Sequence, residues 1–227
     1  KHPNLAKIIG ISKLYFKRED LHPHGSHKGR SIPIMIDKKI ALGKTDFAIS
    51  STGNAALSAV KYIQEKNQKK NTNEKPLSLS VFIGKNINPE KKKKLLAEIH
   101  DKNITIIEST RPLQESLKTD KTSLRQSNDP DALVGYETLA RELSEIPDLK
   151  DIFIGTSSGT TAEALAEFFI KNKKNIAIHI VQPIGNSPIA SEFDTEERKK
   201  EISIADAIVD KVAHRRDHLV KTITETG

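Results

Sequence analysis

Residues 17–30 read KREDLHPHGSHKGR, with a lysine directly after two small residues and a histidine. An apolar stripe at helical spacing follows this stretch and predicts a helix. The stripe consists of Ile32, Met35, Ile36 and Ile40. A lysine at a helix start faces the positive end of the helix dipole, which favours the neutral, nucleophilic form of an amine. Considered alone, Lys28 is better explained as one more surface lysine among many.

The three histidines of the same stretch also raise the question of a metal site. His22, His24 and His27 lack the i, i+4 spacing of a helical HExxH site, and the chain has no cysteine that could serve as a ligand. A carboxylate ligand would have to come from elsewhere in the sequence. We therefore expect no metal at this stretch.

Short strands alternate with helices along the rest of the chain. The predicted strands are residues 14–16, 47–50, 77–83, 104–107, 151–154 and 176–181. Asn88 followed by Pro89 is typical of a helix N-cap. Residues 109–131 have no clear pattern and are predicted to be loop and helix fragments. The alternation predicts an α/β fold in which helices wrap a parallel sheet.

Composition limits the class of protein. With 36% apolar residues in 227, the chain can bury a core. No apolar run approaches the roughly 20 residues of a membrane helix, and residues 1–9, KHPNLAKII, lack the apolar run of a signal peptide. The absence of cysteine excludes disulfides and thiol nucleophiles. These features favour a cytoplasmic protein that does not bind membranes.

The net charge of +7 raises the possibility of a nucleic-acid partner. However, 37 basic residues are interspersed with 30 acidic ones, which is typical of a solvated surface. Aromatic residues make up 4% of the chain and include no tryptophan, so little is available to stack on bases. We expect no nucleic-acid partner.

Two further loops precede predicted helices, where ligands of parallel sheets gather. Residues 50–56, SSTGNAA, offer hydroxyl and amide donors that suit a carboxylate. Residues 155–161, GTSSGTT, place backbone N–H groups at a helix start, which suits a phosphate. They match neither a Walker A loop nor a dinucleotide fingerprint. Each loop is also consistent with a simple capped turn.

The order of these loops on an α/β chain resembles the fold-type II pyridoxal-phosphate enzymes, the tryptophan synthase β-like family. KREDLHPHGSHKGR resembles the lysine segment of that family, and the likeness extends over nearly all 227 residues. It implies two lobes of parallel-rich sheet wrapped by helices, with pyridoxal 5'-phosphate as cofactor. Residues 1–40 and 131–227 would form the larger, cofactor-binding lobe, and residues 41–130 the smaller, mobile lobe.

The resemblance also implies roles for individual residues. Lys28 would form the Schiff base with the cofactor and act as the catalytic base, with His27 near the phosphate. Asn54 would hydrogen-bond the 3-oxygen of the cofactor, while Ser51 and Thr52 would hold the substrate carboxylate. The phosphate-binding residues would be Ser158, Gly159, Thr160 and Thr161.

The individual motifs resemble different family members. STGN at 51–54 and QPIGNSPIASEF at 182–193 resemble threonine synthase, whereas GSHK at 25–28 is closer to tryptophan synthase β and GTSSGTT to cysteine synthase. The resemblance implies a lyase or synthase that eliminates or replaces a group at the β or γ carbon of an amino acid, with threonine synthase as the favoured likeness.

The chain also departs from the family pattern. Ser157 and Thr160 stand where members more often have glycine, and Gly29 replaces a common acidic residue. Members continue past the point at which this chain ends and supply there the residue that faces the pyridine nitrogen. We therefore expect a truncated member, or alternatively a catalytically incomplete relative that acts as a binding or scaffold domain. A homodimer is one assembly that the resemblance allows.

Overall fold

The computed structural model describes residues 2–71, 73–193, 205, 208 and 210–226. Within these ranges helices and strands alternate along the chain. They are α1 (Pro3–Ile8), α2 (Lys28–Ala41), β1 (Asp46–Ser50), α3 (Asn54–Gln68), β2 (Ser78–Gly84), α4 (Pro89–Ala97), β3 (Ile104–Ser109), α5 (Pro112–Leu117), β4 (Thr122–Ser123), α6 (Asp131–Ser144), β5 (Asp151–Gly155), α7 (Thr160–Lys171), β6 (Ala177–Val181) and α8 (Arg216–Thr226). No helix in these ranges has the length and apolarity needed to cross a membrane.

Four strands form a parallel sheet in the order β3-β2-β1-β4. Ser80 of β2 lies opposite Ala48 of β1 on one side and opposite Thr105 of β3 on the other. The five inner residues of β2 are buried, which explains its nearly continuous apolar sequence. The loop after β1 leads directly into α3, so residues 51–54 lie at the carboxyl edge of this sheet.

A second, two-stranded parallel sheet pairs β5 with β6, with Ile152 opposite Ile178. Helix α7 connects these two strands and buries Leu165 and Phe169. Each sheet has its own apolar cluster of buried residues, and that of the second sheet includes Leu219 from α8. The loop that leads into α7 therefore lies in space between the end of β5 and α8, the last described helix.

Helix α2 packs closely against α6 because α6 has a glycine at the crossing point. A Cβ on Gly135 would lie 2.4 Å from the carbonyl oxygen of Arg30 and 2.4 Å from Cα of Ser31. At the same crossing the Ser31 hydroxyl donates to the carbonyl of Ala132 at 2.9 Å. The opposite side of α2 contributes to the core of the first sheet. The first turn of α2 is therefore fixed between α6 and the first sheet.

The predicted strands from residue 47 onward are confirmed with small shifts of their ends, and Asn88 caps α4 through its side-chain oxygen. The strand predicted at residues 14–16 is wrong. This segment lies beside α1, where the His2 N–H donates to the Leu14 carbonyl at 3.0 Å and Phe16 stacks edge-on against the His2 ring. Three apolar residues form a strand only if another strand accepts their backbone hydrogen bonds.

The division into lobes stays a prediction. Residues 109–131, which had no clear pattern, contain α5 and β4. Ile32, Met35 and Ile36 of α2 pack with the strands of the first sheet, although the predicted boundary assigned them to the other lobe.

Candidate active site

The lysine loop, residues 22–30, presents Lys28 as the first residue of α2, as the sequence predicted. Gly25 makes the turn with a φ of 76°, and its N–H donates to the carbonyl of His22. The Ser26 hydroxyl then accepts from the Lys28 N–H at 3.3 Å. The Lys28 amine makes no hydrogen bond or ion pair with any residue that the structure describes.

The lysine loop rests on α3, the helix that begins with Asn54. The buried hydroxyl of Ser58 lies 3.4 Å from the Lys28 carbonyl and 3.0 Å from Nδ1 of His24. Asn54 is exposed, and the preceding Ser51 hydroxyl accepts from the Gly53 N–H at 3.3 Å. The structure therefore brings the lysine loop to α3, the helix after residues 50–53, but no hydrogen bond joins Lys28 to Asn54 among the described residues.

Arg30 anchors the lysine loop to the body of the protein. Its side chain is 9% exposed, and its guanidinium binds both carboxylate oxygens of Glu19, at 2.7 and 2.8 Å, and both of Glu142 on α6, at 2.9 Å each. This pairing raises the pKa of Arg30 and lowers that of Glu142 to about 2. A two-sided ion pair of this geometry restricts the rotation of α2 next to Lys28.

His27 packs flat against a buried tyrosine. Its ring and that of Tyr136 are 5.8 Å apart and inclined by 29°, and the Tyr136 hydroxyl accepts from the Gln126 amide at 3.1 Å. Burial, followed by the charge of Lys28, lowers the pKa of His27 to about 4. The imidazole is therefore neutral near pH 7 and can donate or accept a hydrogen bond without carrying charge.

We expect His27 to make the folded state sensitive to acid. Its pKa is about 4 in the fold and near 6.5 unfolded, so unfolding takes up a proton between these pH values. The free energy of unfolding should fall by roughly 1–3 kcal/mol as the pH decreases from 6.5 to 4, with no further His27 contribution outside this window. Urea unfolding at pH 4.5 and pH 7 measures this fall.

The matched variants are His27→Gln and His100→Gln, since His100 is exposed. The fall should be smaller in His27→Gln and unchanged in His100→Gln. Burial also lowers the pKa of His22 and His24, so part of the fall remains in His27→Gln. An equal fall in His27→Gln and the wild type would contradict the expectation.

The third loop, residues 155–161, is a tight turn lined with donors at the start of α7. Gly159 has a φ of 81°, and its N–H donates to the Thr156 hydroxyl at 3.1 Å. The Ser158 and Thr160 hydroxyls are 2.9 Å apart. The side-chain amide of Gln182 donates to two carbonyls of the loop, at 3.1 Å each, and so holds its shape. Hydroxyl groups together with the N–H groups of a first helical turn suit a phosphate.

Two departures from the family pattern have structural explanations. The Ser157 hydroxyl accepts from the Asp210 N–H at 3.0 Å and so ties the loop to the segment before α8. A Cβ on Gly29 would lie 2.4 Å from Nδ1 of His22 and 2.8 Å from Cβ of His24. The histidines of the lysine loop therefore occupy the space that an acidic side chain at position 29 would need.

One group of three potential metal ligands occurs among the described residues, and the histidines of the lysine loop are not part of it. Glu163, Glu167 and His218 bring ligand atoms within 4.8 Å of one another. Glu163 is already paired, with Arg215 at 3.2 Å and with His218 at 2.9 Å. Burial and the neighbouring Glu163 raise the pKa of Glu167. The Glu163–Arg215 ion pair and the hydrogen bond between Glu163 and His218 account for this group.

Two cavities in the described part of the chain lie away from the predicted site residues. A cavity of about 410 Å³ lies between α6 and α7 and includes Arg141 and Phe168. A second, of about 340 Å³, lies at the carboxyl ends of β2 and β3 and includes Lys85 and Ser109. Lys28 and the third loop line neither of them.

The sequence pattern did not point to several residues that shape the site. These are Glu19, Arg30, Ser58, Gln126, Glu142 and Gln182. Tyr136 belongs to the same group of residues, since it is buried and its ring contacts that of His27. The partners described above lie 10 or more positions away along the chain, beyond the spacing of neighbouring residues in one helix or strand, so local spacing carries no signal for them.

Comparison with known proteins gives a consistent picture. The family model described as "Pyridoxal-phosphate dependent enzyme" matches residues 1–224. The threonine synthase of Methanosarcina acetivorans is 40% identical over 62 residues, which cover 27% of this chain and 15% of that protein. An aspartate racemase that depends on pyridoxal 5'-phosphate matches the fold with a TM-score of 0.79 at 18% identity, covering 96% of this chain and 68% of its own. Threonine deaminase isoform 2 of Solanum lycopersicum matches the fold with a TM-score of 0.75 at 20% identity, covering 97% of this chain and 60% of its own.

Proposed function

The chain belongs to the pyridoxal-phosphate-dependent enzyme family, with a tryptophan synthase β-like, fold-type II fold, and we propose that it catalyses elimination or replacement at the β or γ carbon of an amino acid. The identity with a threonine synthase supports a reaction of that kind. The observation that carries the proposal is the amine of Lys28 at the start of α2, which has no partner among the described residues, in a chain that matches the family over residues 1–224.

The residues of this chain offer the groups that the cofactor needs. Pyridoxal 5'-phosphate, when bound, supplies the electron sink of the reaction. The third loop and the first turn of α7 would hold its phosphate through Ser158, Gly159, Thr160 and Thr161. Asn54 would donate to the ring 3-oxygen from the start of α3. His27, neutral and stacked on Tyr136, would lie beside the phosphate without adding charge.

Three residues would handle the substrate. Ser51 and Thr52, at the carboxyl edge of the first sheet, would bind its carboxylate. The freed amine of Lys28 would accept the proton from the substrate α carbon. Closure of the proposed smaller lobe, residues 41–130, would exclude water from the reacting atoms. The proposal also includes a cytoplasmic location for the protein and assembly of two copies of the chain into a homodimer.

Cofactor titration tests the proposal directly. Purified protein is mixed with pyridoxal phosphate, its visible spectrum is recorded, and the adduct is trapped with borohydride and mapped by peptide analysis. We expect a visible band and a single reduced adduct on Lys28. Scattered adducts on exposed lysines, or no band, would contradict the proposal. Amino acids with leaving groups on the β or γ carbon then identify the substrate class through loss of that group.

A binding or scaffold role is the second candidate. It is favoured by two departures from the family pattern: His22 and His24 occupy the space of an acidic side chain at position 29, and the Ser157 hydroxyl accepts from the Asp210 N–H. In that case the cofactor would bind at Lys28 without turnover of any amino acid in the panel.

A further inference from the structure

Arg215 is a partly buried arginine that joins two distant segments of the chain. It lies directly before α8, and its side chain is 12% exposed. One end of its guanidinium donates to the Glu163 carboxylate at 3.2 Å, and the other donates to the carbonyl of Asp129 at 2.7 Å. The planar guanidinium thereby sets the distance between these two partners.

The two partners belong to the two halves of the proposed cofactor site. Glu163 is 3% exposed and lies in the first turn of α7, directly behind the third loop. Asp129 belongs to the segment that leads into α6. In the same segment the Gln126 amide donates to the Tyr136 hydroxyl, and the Tyr136 ring supports His27, the residue next to Lys28.

The energetics of this contact favour a positional role over a stabilising one. A buried ion pair contributes little net stability, because the loss of hydration offsets the attraction of the charges. In addition, Nε of Arg215 is buried without a hydrogen-bond partner among the described residues. An unpaired buried donor costs free energy, so apolar side chains would stabilise this position better. What the arginine provides is a fixed geometry between its partners.

We propose that Arg215 is a positioning residue of the cofactor site, which fixes the third loop relative to Lys28. It acts through Glu163 on one side and through the segment of Gln126 and Tyr136 on the other, and touches neither cofactor nor substrate. This inference rests on the proposed function, because it assumes that the third loop binds the phosphate while Lys28 binds the other end of the cofactor.

The test compares three variants: Arg215→Gln, Arg215→Lys and Arg216→Gln. Arg216 is the matched control, since it is the next residue, is exposed, and pairs with Asp217 and Glu192. The readouts are the affinity for pyridoxal phosphate and the wavelength and intensity of the visible band. Thermal unfolding without cofactor shows whether each variant folds.

We expect Arg215→Gln to weaken cofactor affinity about tenfold and to change the band, whereas Arg216→Gln matches the wild type. Arg215→Lys should recover part of the loss, because its single ammonium can reach one of the two partners. If Arg215→Gln does not fold, Glu163→Gln serves in its place and should give the same loss.

Two results would overturn the inference. The first is that the wild type binds the cofactor and every folded Arg215 or Glu163 variant has the same cofactor affinity and the same visible band. This result leaves the proposed function intact. The second is a wild type that does not bind the cofactor at all, in which case the proposed function fails as well.

Discussion

The Lys28→Ala variant should show no visible cofactor band and no borohydride-trapped adduct. The amine of Lys28 supplies both the bond to the cofactor and the base for the α-proton under the proposed function. Loss of a general base alone reduces turnover ~10²–10⁴-fold, and loss of the covalent attachment adds to this. The free energy of unfolding should change by less than about 0.5 kcal/mol, because the amine has no partner among the described residues.

The matched control is Lys44→Ala, since Lys44 is an exposed lysine in the turn after the same helix. It should keep both the band and the adduct. A second readout does not depend on the cofactor: the charge of Lys28 lowers the pKa of His27, so Lys28→Ala should raise that pKa, as measured by NMR. A full band and a single adduct in Lys28→Ala would show that another lysine binds the cofactor.

The sequence predicted the elements of the fold well where apolar periodicity was strong. Strand β2 has a long apolar run, and Asn88 has the local chemistry of a helix cap, so both could be placed without tertiary information. Strand β4 has only two residues, Thr122 and Ser123, and is defined by its pairing with β1 alone. A segment of this kind has no periodic signal that a sequence pattern can detect.

The candidate site shows the same division between local and distant information. The position of Lys28 at a helix start follows from Gly25, Ser26 and the apolar stripe after it, all within one segment. The support of His27 by Tyr136, by contrast, joins residues that are far apart in the sequence. The same holds for Arg30 and Glu142. Such contacts depend on how α2 crosses α6, which the close approach at Gly135 permits.

Gly159 is the residue of the third loop at which substitution should cost the most stability. Its φ of 81° is a conformation that residues with a Cβ rarely adopt. A Cβ here would also lie 2.3 Å from Cδ2 of Leu219 and 2.9 Å from Cδ1 of Ile189, both of which are fully buried. Gly159→Ala should therefore lower the free energy of unfolding by about 2–5 kcal/mol, the sum of backbone strain and overpacking. Urea unfolding measures the loss.

The same loop offers its own control. Among the described residues, a Cβ on Gly155 would meet only Cδ1 of Ile208, at 3.8 Å, and Gly155 does not have a positive φ. Gly155→Ala should therefore change the free energy of unfolding by less than about 0.5 kcal/mol. Combination with Leu219→Ala separates the two causes. If overpacking contributes, Gly159→Ala should cost about 1–3 kcal/mol less in the Leu219→Ala background.

An equal cost of Gly159→Ala in both backgrounds would assign the whole loss to the backbone, and no loss in either would contradict the geometry of the loop. The distinction bears on the proposed phosphate site. If α7 shifts to relieve the strain, the Thr160 N–H and the Ser158 hydroxyl move with it. If α8 shifts instead to relieve the overpacking, both groups stay in place. We expect the first, because Leu219 and Ile189 are fully buried and have no free space to move into. Gly159→Ala should therefore also weaken cofactor binding, and Gly155→Ala should not.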